Sequence, residues 1–419
     1  MRDALLLAGS VGLGHEMLAR TCSDVLSEAG WRTRSLDCMA MLGRGRERVG
    51  QRVFDSFLAM PGIYDGLHFA HLRTGSRIAE FMDRAASAKL MPALRDELEH
   101  YPADLVLSMF ATGASAAAKL KAEAPARRTV VLCTDAAVHR LWVSGGTDLF
   151  LVTSKAAAAS VRRYQPRATI ATVPPPVRPP FYAAPSRQEA RAALGVPPGA
   201  FCVLAIDSGW GFGPLVESVS ALADAGVHVL AVAGRHRSVE RRLRALSAKS
   251  PMIMPFGFTD QVPVLMAAAN LVLTLPGATT CSEARVVGRE LLLLDVMPGH
   301  GRDNLQHELE LGAAHACVPT PRGVADCALA LRDQPRPVSS RLRRAPRWEP
   351  AFAAALQRIG LSLPIRADEK GEDRYAHALS ESSFLSGIRR RSWRQVPGQA
   401  GDPLVLVSHL ARPACRPRT

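Results

Sequence analysis

Short apolar runs alternate with helical patterns in two successive series, and the stiff segment PPPVRPP at residues 174–180 stands between them. A strand followed by a helix rejoins its sheet in parallel, through a crossover, so each series specifies a parallel sheet covered by helices. The first series reads as strand, Gly loop and helix over 4–30, then strands at 31–36, 104–109, 129–133, 148–152 and 169–173. The second starts with FCVLAID at Phe201 and continues through VHVLAVAG, MIMPFGF, a helix over 262–269 and an apolar run over 270–274. The expected fold class is α/β, with two Rossmann-like, doubly wound domains. They would span residues 1–175 and 186–363, with an extended linker at 176–185 and a terminal helix over 348–359.

LTLPGATTCSEARVVG, residues 273–288, reads as the end of a buried strand, a Pro-Gly turn and a helix opened by Thr279 and Thr280 with Glu283 in its first turn. The first N–H groups of a helix have no intrahelical partner, and the macrodipole puts about half a positive charge there, so a phosphate is held without a formal cation. An acid just beyond such a pocket suits a ribose, whose two hydroxyls can both donate to one carboxylate. A first-turn Glu that merely complements the dipole is the plainer alternative. On the ribose reading, Glu283→Ala weakens nucleotide binding and hardly touches folding.

The first loop, with Gly9, Gly12, Gly14 and His15, departs from the dinucleotide fingerprint because Met17 takes the third glycine position. His15 falls where the carboxyl end of a strand meets a helix N-terminus, the place where open α/β sheets put ligands, and only His titrates near neutral pH without a large shift. That position makes His15 the unusual residue of this loop. No Asp-x-Asp and no His or Cys cluster with ligand spacing occurs, so neither a metal nor another cofactor is expected.

The formal net charge is +14, carried mostly by Arg, which favours anionic partners: a nucleotide, or an anionic membrane surface. Nucleic acid is not expected, because no recognition signature is present and five Trp, five Tyr and thirteen Phe are few for base stacking. The eight cysteines are scattered without a C-x-x-C pair and read as reduced core thiols. No apolar run approaches a span of about 20 residues, and MRDALLLAGS reads as a strand rather than a leader. A cytoplasmic protein held peripherally at the inner membrane face is therefore expected. Residues 40–100 form a mostly helical insertion in which Val49, Val53, Phe54, Phe57 and Leu58 lie at helical spacing beside Arg44, Arg46, Arg48 and Arg52. Residues 364–419, with the basic run IRRRSWR at 388–394, lack the composition of a core and read as a disordered tail. Removing that tail is expected to leave the melting temperature and nucleotide binding unchanged while weakening vesicle binding; a truncated chain that no longer folds would show that the tail packs on a domain.

Four motifs, in order and spacing, carry a resemblance. They are GLGH at 12–15, TDAAVHRLW at 134–142, PVRPPF at 176–181, and GFTDQVPVLMAAANLVLTLPGATTCSEA at 257–284 followed by PGHGRDN at 298–304. Over residues 4–320 the chain resembles glycosyltransferase family 28 of the two-domain GT-B type, in particular its monogalactosyl- and processive glucosyl-diacylglycerol synthases. The resemblance implies that Phe258 lies against the uracil of a UDP-sugar, that Gly277, Ala278, Thr279 and Thr280 lie under its diphosphate, and that Glu283 holds the ribose. It further implies that the two domains face across a cleft with the helix over 348–359 crossing back onto the first, that Gly209 and Gly211 face the donor, and that His300, Asp303 and Asn304 meet the donor sugar. On the acceptor side, with Gly12, Gly14 and Trp142, His15 would be the general base for the acceptor hydroxyl, His139 its competitor, and Asp135 the carboxylate that could orient either imidazole.

The chain also departs from that pattern. Asp207 and Trp210 stand in a loop where related synthases have glycines, Leu275 replaces a basic residue before the PGATT turn, Asn270 replaces an Asp, and His300-Gly301 replaces a Gln-Glu pair that recognises sugar hydroxyls. The function implied is an inverting transfer of a hexose, galactose or glucose, from a UDP-sugar to a lipid such as diacylglycerol. The alternatives are a non-catalytic nucleotide or lipid binder and a transferase acting on a specialised metabolite.

Overall fold

The computed structural model describes residues 1–9, 14–41, 61–206, 214–333 and 346–364. The expected stretch of basic amphipathic helix at 44–58, the tail beyond 364, and the candidate residues Gly12, Asp207, Gly209, Trp210 and Gly211 lie outside them.

The described residues form two six-stranded sheets. In the first, β1 (Asp3–Ala8), β2 (Arg32–Asp37), β3 (Leu105–Ser108), β4 (Arg128–Cys133), β5 (Leu149–Val152) and β6 (Ile170–Thr172) lie in the order β2-β1-β3-β4-β5-β6. In the second, β7 (Cys202–Ile206), β8 (His228–Val232), β9 (Ile253–Phe256), β10 (Leu271–Thr274), β11 (Glu290–Leu294) and β12 (Ala314–Cys317) lie in the order β12-β11-β10-β7-β8-β9. Every pairing in both sheets is parallel, as the alternation requires. The central strands are buried on both faces, which is why they read as unbroken apolar runs rather than as alternation.

Each sheet reverses its strand order once, between β1 and β3 in the first and between β7 and β10 in the second. Crevices outside the carboxyl ends of strands at such points are where ligands bind. The loop into His15 leaves β1, and the Pro-Gly turn leaves β10, so both candidate motifs stand at a switch point.

Helix α1 (Gly14–Glu28) covers one face of the first sheet, where Leu18, Cys22 and Leu26 meet Ala4 and Leu6. Residues 61–100 supply α2 (Pro61–Leu67), a single π-helical turn (His68–Leu72) and α3 (Arg77–His100). Leu90 and Leu94 of α3 cover the other face, against Leu5 and Leu7. The second domain carries α4 (Ala278–Val287) after β10 and α5 (His300–Leu311) after β11. A final helix, α6 (Glu349–Gln357), packs its buried Phe352 and the preceding Trp348 into the first sheet's core, with ring centroids 4.9 Å apart. Burying two such rings stabilises that attachment by about 3–6 kcal/mol before entropy is counted.

Two expectations about local structure change. The linker is not extended throughout: Pro179–Tyr182 forms a helical turn whose Phe181 and Tyr182 enter the second core, because proline at the first helical positions is already set for the turn. Helix α4 begins at Ala278, so Glu283 lies in its second turn rather than its first. Cys22, Cys38, Cys133, Cys202, Cys281 and Cys317 are free and buried. No helix among the described residues is long and apolar enough to cross a membrane.

Candidate functional site

The N-terminal ends of α1 and α4 meet across the space between the sheets, where a Cβ on Gly14 would lie 3.4 Å from Thr279 Oγ1. They open onto one cavity of about 1140 Å³, counting the part open to solvent, whose lining includes His15, Asp135, Arg178, Phe258, Glu283 and His300. Gly277, Ala278, Thr279 and Thr280 also line it, with Gly277 at the N-cap position of α4. Two helix N-termini thus face one volume, and because the first N–H groups of a helix lack intrahelical partners, the pair suits an anion better than either end alone.

His15 stands on the first-domain side of the cavity with its ring edge-on to Phe110, centroids 5.8 Å apart. Phe110 fills the space beside Gly9, where any Cβ would come within 2.5 Å of its ring. Burial lowers the His15 pKa below the usual 6.5, while the Asp135 carboxylate and the Met109 backbone pull it back up. The imidazole is therefore neutral and able to accept a proton at neutral pH.

His139 is also on this side, but its ring packs among others, 5.9 Å from His68 and 6.2 Å from Trp142. Burial lowers its pKa to about 3, opposed by Asp135 and reinforced by His68 and His300. Trp142 is buried in the first domain's core beside Val138 and Phe150. Of the acceptor-side residues expected from the sequence, Gly14, His15 and Asp135 line the cavity, whereas His139 and Trp142 are not part of its lining.

On the opposite side Glu283 is only 4% exposed and is paired with Arg178, whose Nε and Nη2 donate to Oε1 at 3.1 and 2.8 Å. Burial raises the Glu283 pKa and Arg178 opposes the rise. Both bonds go to Oε1, and Oε2 takes neither of them. Glu283 is thus not a surface acid, and a buried carboxylate needs its cation. Arg178 was legible only as a member of PVRPPF, and nothing in the sequence pairs it with Glu283, 105 positions away.

Phe258 is 57% exposed, with the Arg235 guanidinium 4.8 Å above its ring, and Arg235 also bridges the domains by donating to Glu16 at 2.8 and 2.9 Å. An exposed ring beside the cavity offers a face for a base to stack on. Leu275 is buried in the second core. Asn270 serves the fold: its Oδ1 accepts from Arg191 at 2.6 Å and from the Cys202 backbone at 2.9 Å.

The PGHGRDN segment divides its residues. His300 and Asn304 line the cavity, and burial lowers the His300 pKa, so its neutral ring can both donate to and accept from hydroxyls. Asn304 Oδ1 also accepts from the Ala136 N–H at 2.8 Å, tying this segment to the TDAAVH loop. Asp303 is paired instead with His68 at 3.0 Å and Arg73 at 2.5 Å. Among the described residues no group of three or more His, Cys, Asp and Glu side chains could hold a metal ion.

No family model matches the chain. Monogalactosyldiacylglycerol synthase 1 of Arabidopsis thaliana is 30% identical over 148 residues, 33% of this chain and 27% of that protein. Processive diacylglycerol beta-glucosyltransferase of Bacillus pumilus is 22% identical over 192 residues, 44% of this chain and 50% of that protein. The Mycobacterium bovis UDP-N-acetylglucosamine–N-acetylmuramyl-(pentapeptide) pyrophosphoryl-undecaprenol N-acetylglucosamine transferase is 32% identical over 178 residues, 42% of each. The matched stretches span from about a quarter to half of these relatives' own lengths. Among solved structures, Medicago truncatula UGT71G1 complexed with UDP-glucose aligns with TM-score 0.54 at 11% identity, covering 92% of this chain and 98% of that one. S. aureus MnaA with UDP aligns with TM-score 0.53 at 12% identity, covering 93% and 98%. These two are likenesses of fold alone. With the sheet topology and the order of the motifs, the relatives identify the chain as a GT-B protein related to glycosyltransferase family 28.

Proposed function

We propose that this chain is an inverting glycosyltransferase that moves a hexose, glucose or galactose, from a UDP-sugar to a lipid hydroxyl such as that of diacylglycerol, working against an anionic membrane surface. The observation that carries the reading is the single cavity on which two helix N-termini, a buried acid and a neutral imidazole converge. The diphosphate would lie between the ends of α1 and α4, the ribose on Glu283 Oε2, the uracil on Phe258, and the hexose toward His300 and Asn304. His15 would take the proton of the acceptor hydroxyl as its oxygen bonds to the anomeric carbon, while the bond from that carbon to the diphosphate oxygen breaks on the far face. UDP then leaves with the bond's electron pair, its charge stabilised by the helix ends rather than by a cation. The names of the Arabidopsis and Bacillus relatives support a diacylglycerol acceptor.

A second reading, a nucleotide binder without transfer, is favoured by Leu275, an apolar core residue where the related synthases place a cation. One assay separates the two: UDP release from UDP-glucose and UDP-galactose with diacylglycerol vesicles, in EDTA. Acceptor-dependent release undiminished by chelator is expected. UDP binding without release would favour the binder, and loss of turnover restored by Mg²⁺ would show that a metal carries the diphosphate.

A further inference from the structure

The π-helical turn His68–Leu72 lies in a part of the first domain that the function above does not use. On an α-helix, residues three or four apart share a face. Here the Arg73 N–H reaches the His68 carbonyl at 2.8 Å, and this wider turn brings residues five apart to one side. Both side chains close on the same carboxylate, that of Asp303 in the second domain. One turn earlier, Asp65 Oδ1 accepts the Gly299 N–H at 2.7 Å and its Oδ2 pairs with Arg302 at 2.9 Å. Tyr64 lies against the same turn: Gly299 has φ of +63°, and a Cβ there would come within 2.4 Å of the Tyr64 ring. The Tyr64 ring also stands edge-on to His300, centroids 6.4 Å apart.

Four consecutive-turn side chains of the first domain therefore grip residues 299–303 of the second, and the gripped segment carries His300 into the cavity. A surface contact would not need a left-handed glycine fitted against a ring, nor a buried histidine spent on a carboxylate. We propose that residues 64–73 set the sugar-facing turn, with Asp65 as its principal positioning residue, so that the pocket for the transferred hexose is complete only when the first domain grips the second. This rests on the donor-site reading above and adds to it a division of labour. The uridine diphosphate is held by the second domain and the two helix ends, whereas discrimination of the hexose depends on a first-domain segment remote from them in sequence.

The test is calorimetric binding of UDP, UDP-glucose and UDP-galactose to the parent chain, Asp65→Ala and Asp65→Asn. Asparagine retains an oxygen for the Gly299 N–H and loses only the charge facing Arg302. In Asp65→Ala the better-bound UDP-sugar should weaken by about 5- to 30-fold, the loss of one or two hydrogen bonds that fix the turn, while UDP affinity and the melting temperature hold. Asp65→Asn should recover most of that loss. Equal weakening of UDP and UDP-sugar, or no change in either, would overturn the assignment while leaving the donor site standing. A parent chain that binds no UDP would sink the donor-site reading and this inference with it. If Asp65→Ala does not fold, Asp65→Asn decides alone: a sugar-selective loss below five-fold is expected, and a loss shared with UDP refutes the proposal.

Discussion

Replacing His15 with alanine is expected to lower kcat by about 10²- to 10⁴-fold while UDP binds nearly as before, because the start of α1 would meet the diphosphate through backbone N–H groups that the substitution keeps, and the remaining nucleotide contacts would lie on the second domain. The structure adds a pH dependence. Burial is the largest influence on His15 and lowers its pKa, so the proton-accepting form persists below pH 6.5 and activity should fall only as pH drops through that depressed value. Asp135 opposes the lowering, so Asp135→Asn should move the acid limb to still lower pH and weaken the base. Burial lowers the His139 pKa as well, to about 3, and Asp135 opposes it there too, so the variants rather than burial separate the two imidazoles. A His15→Ala enzyme within a few-fold of the parent, beside a dead His139→Ala, would transfer the role and sink this assignment.

The fold class was legible because its signal is local. Runs such as LLLA in β1 and LVL in β10 are apolar throughout, and the helical patterns between them force parallel crossovers whatever else the chain does. The turn that opens α4 was legible for the same reason, since a strand, a Pro-Gly turn and a helix need only neighbouring residues. The partners of the polar groups were not. Glu283 finds Arg178 across 105 positions and Asp303 finds His68 across 235, and no periodicity encodes which charge a folded chain brings to another. The π-helical turn left no mark either, because its residues read equally well as an ordinary helix. Asp303 shows the consequence: its place in PGHGRDN puts it with the donor sugar by analogy, whereas its carboxylate is occupied by His68 and Arg73.

Glu283→Ala is expected to have two effects that its sequence position did not distinguish. Loss of the ribose acceptor should weaken UDP binding by roughly 5- to 150-fold, the equivalent of about 1–3 kcal/mol. The sequence alone suggested that folding would hardly change. The structure reverses that expectation, because removing a 4%-exposed carboxylate leaves the Arg178 guanidinium in the pocket wall without its charge partner. Breaking a charged, largely buried hydrogen-bonded pair costs about 1.5–3 kcal/mol, so the melting temperature should fall as well. Adding Arg178→Ala removes the stranded charge and should recover part of that stability, the guanidinium's packing over Phe181 at 4.8 Å being lost with it. UDP affinity should not recover, since the oxygen facing the ribose is still missing. The double variant therefore separates the two roles of one carboxylate: stability restored with UDP binding still weak assigns Oε2 to the nucleotide. If UDP affinity measured by calorimetry is unaltered in Glu283→Ala, the ion pair with Arg178 is the whole purpose of Glu283, and the ribose must be held elsewhere.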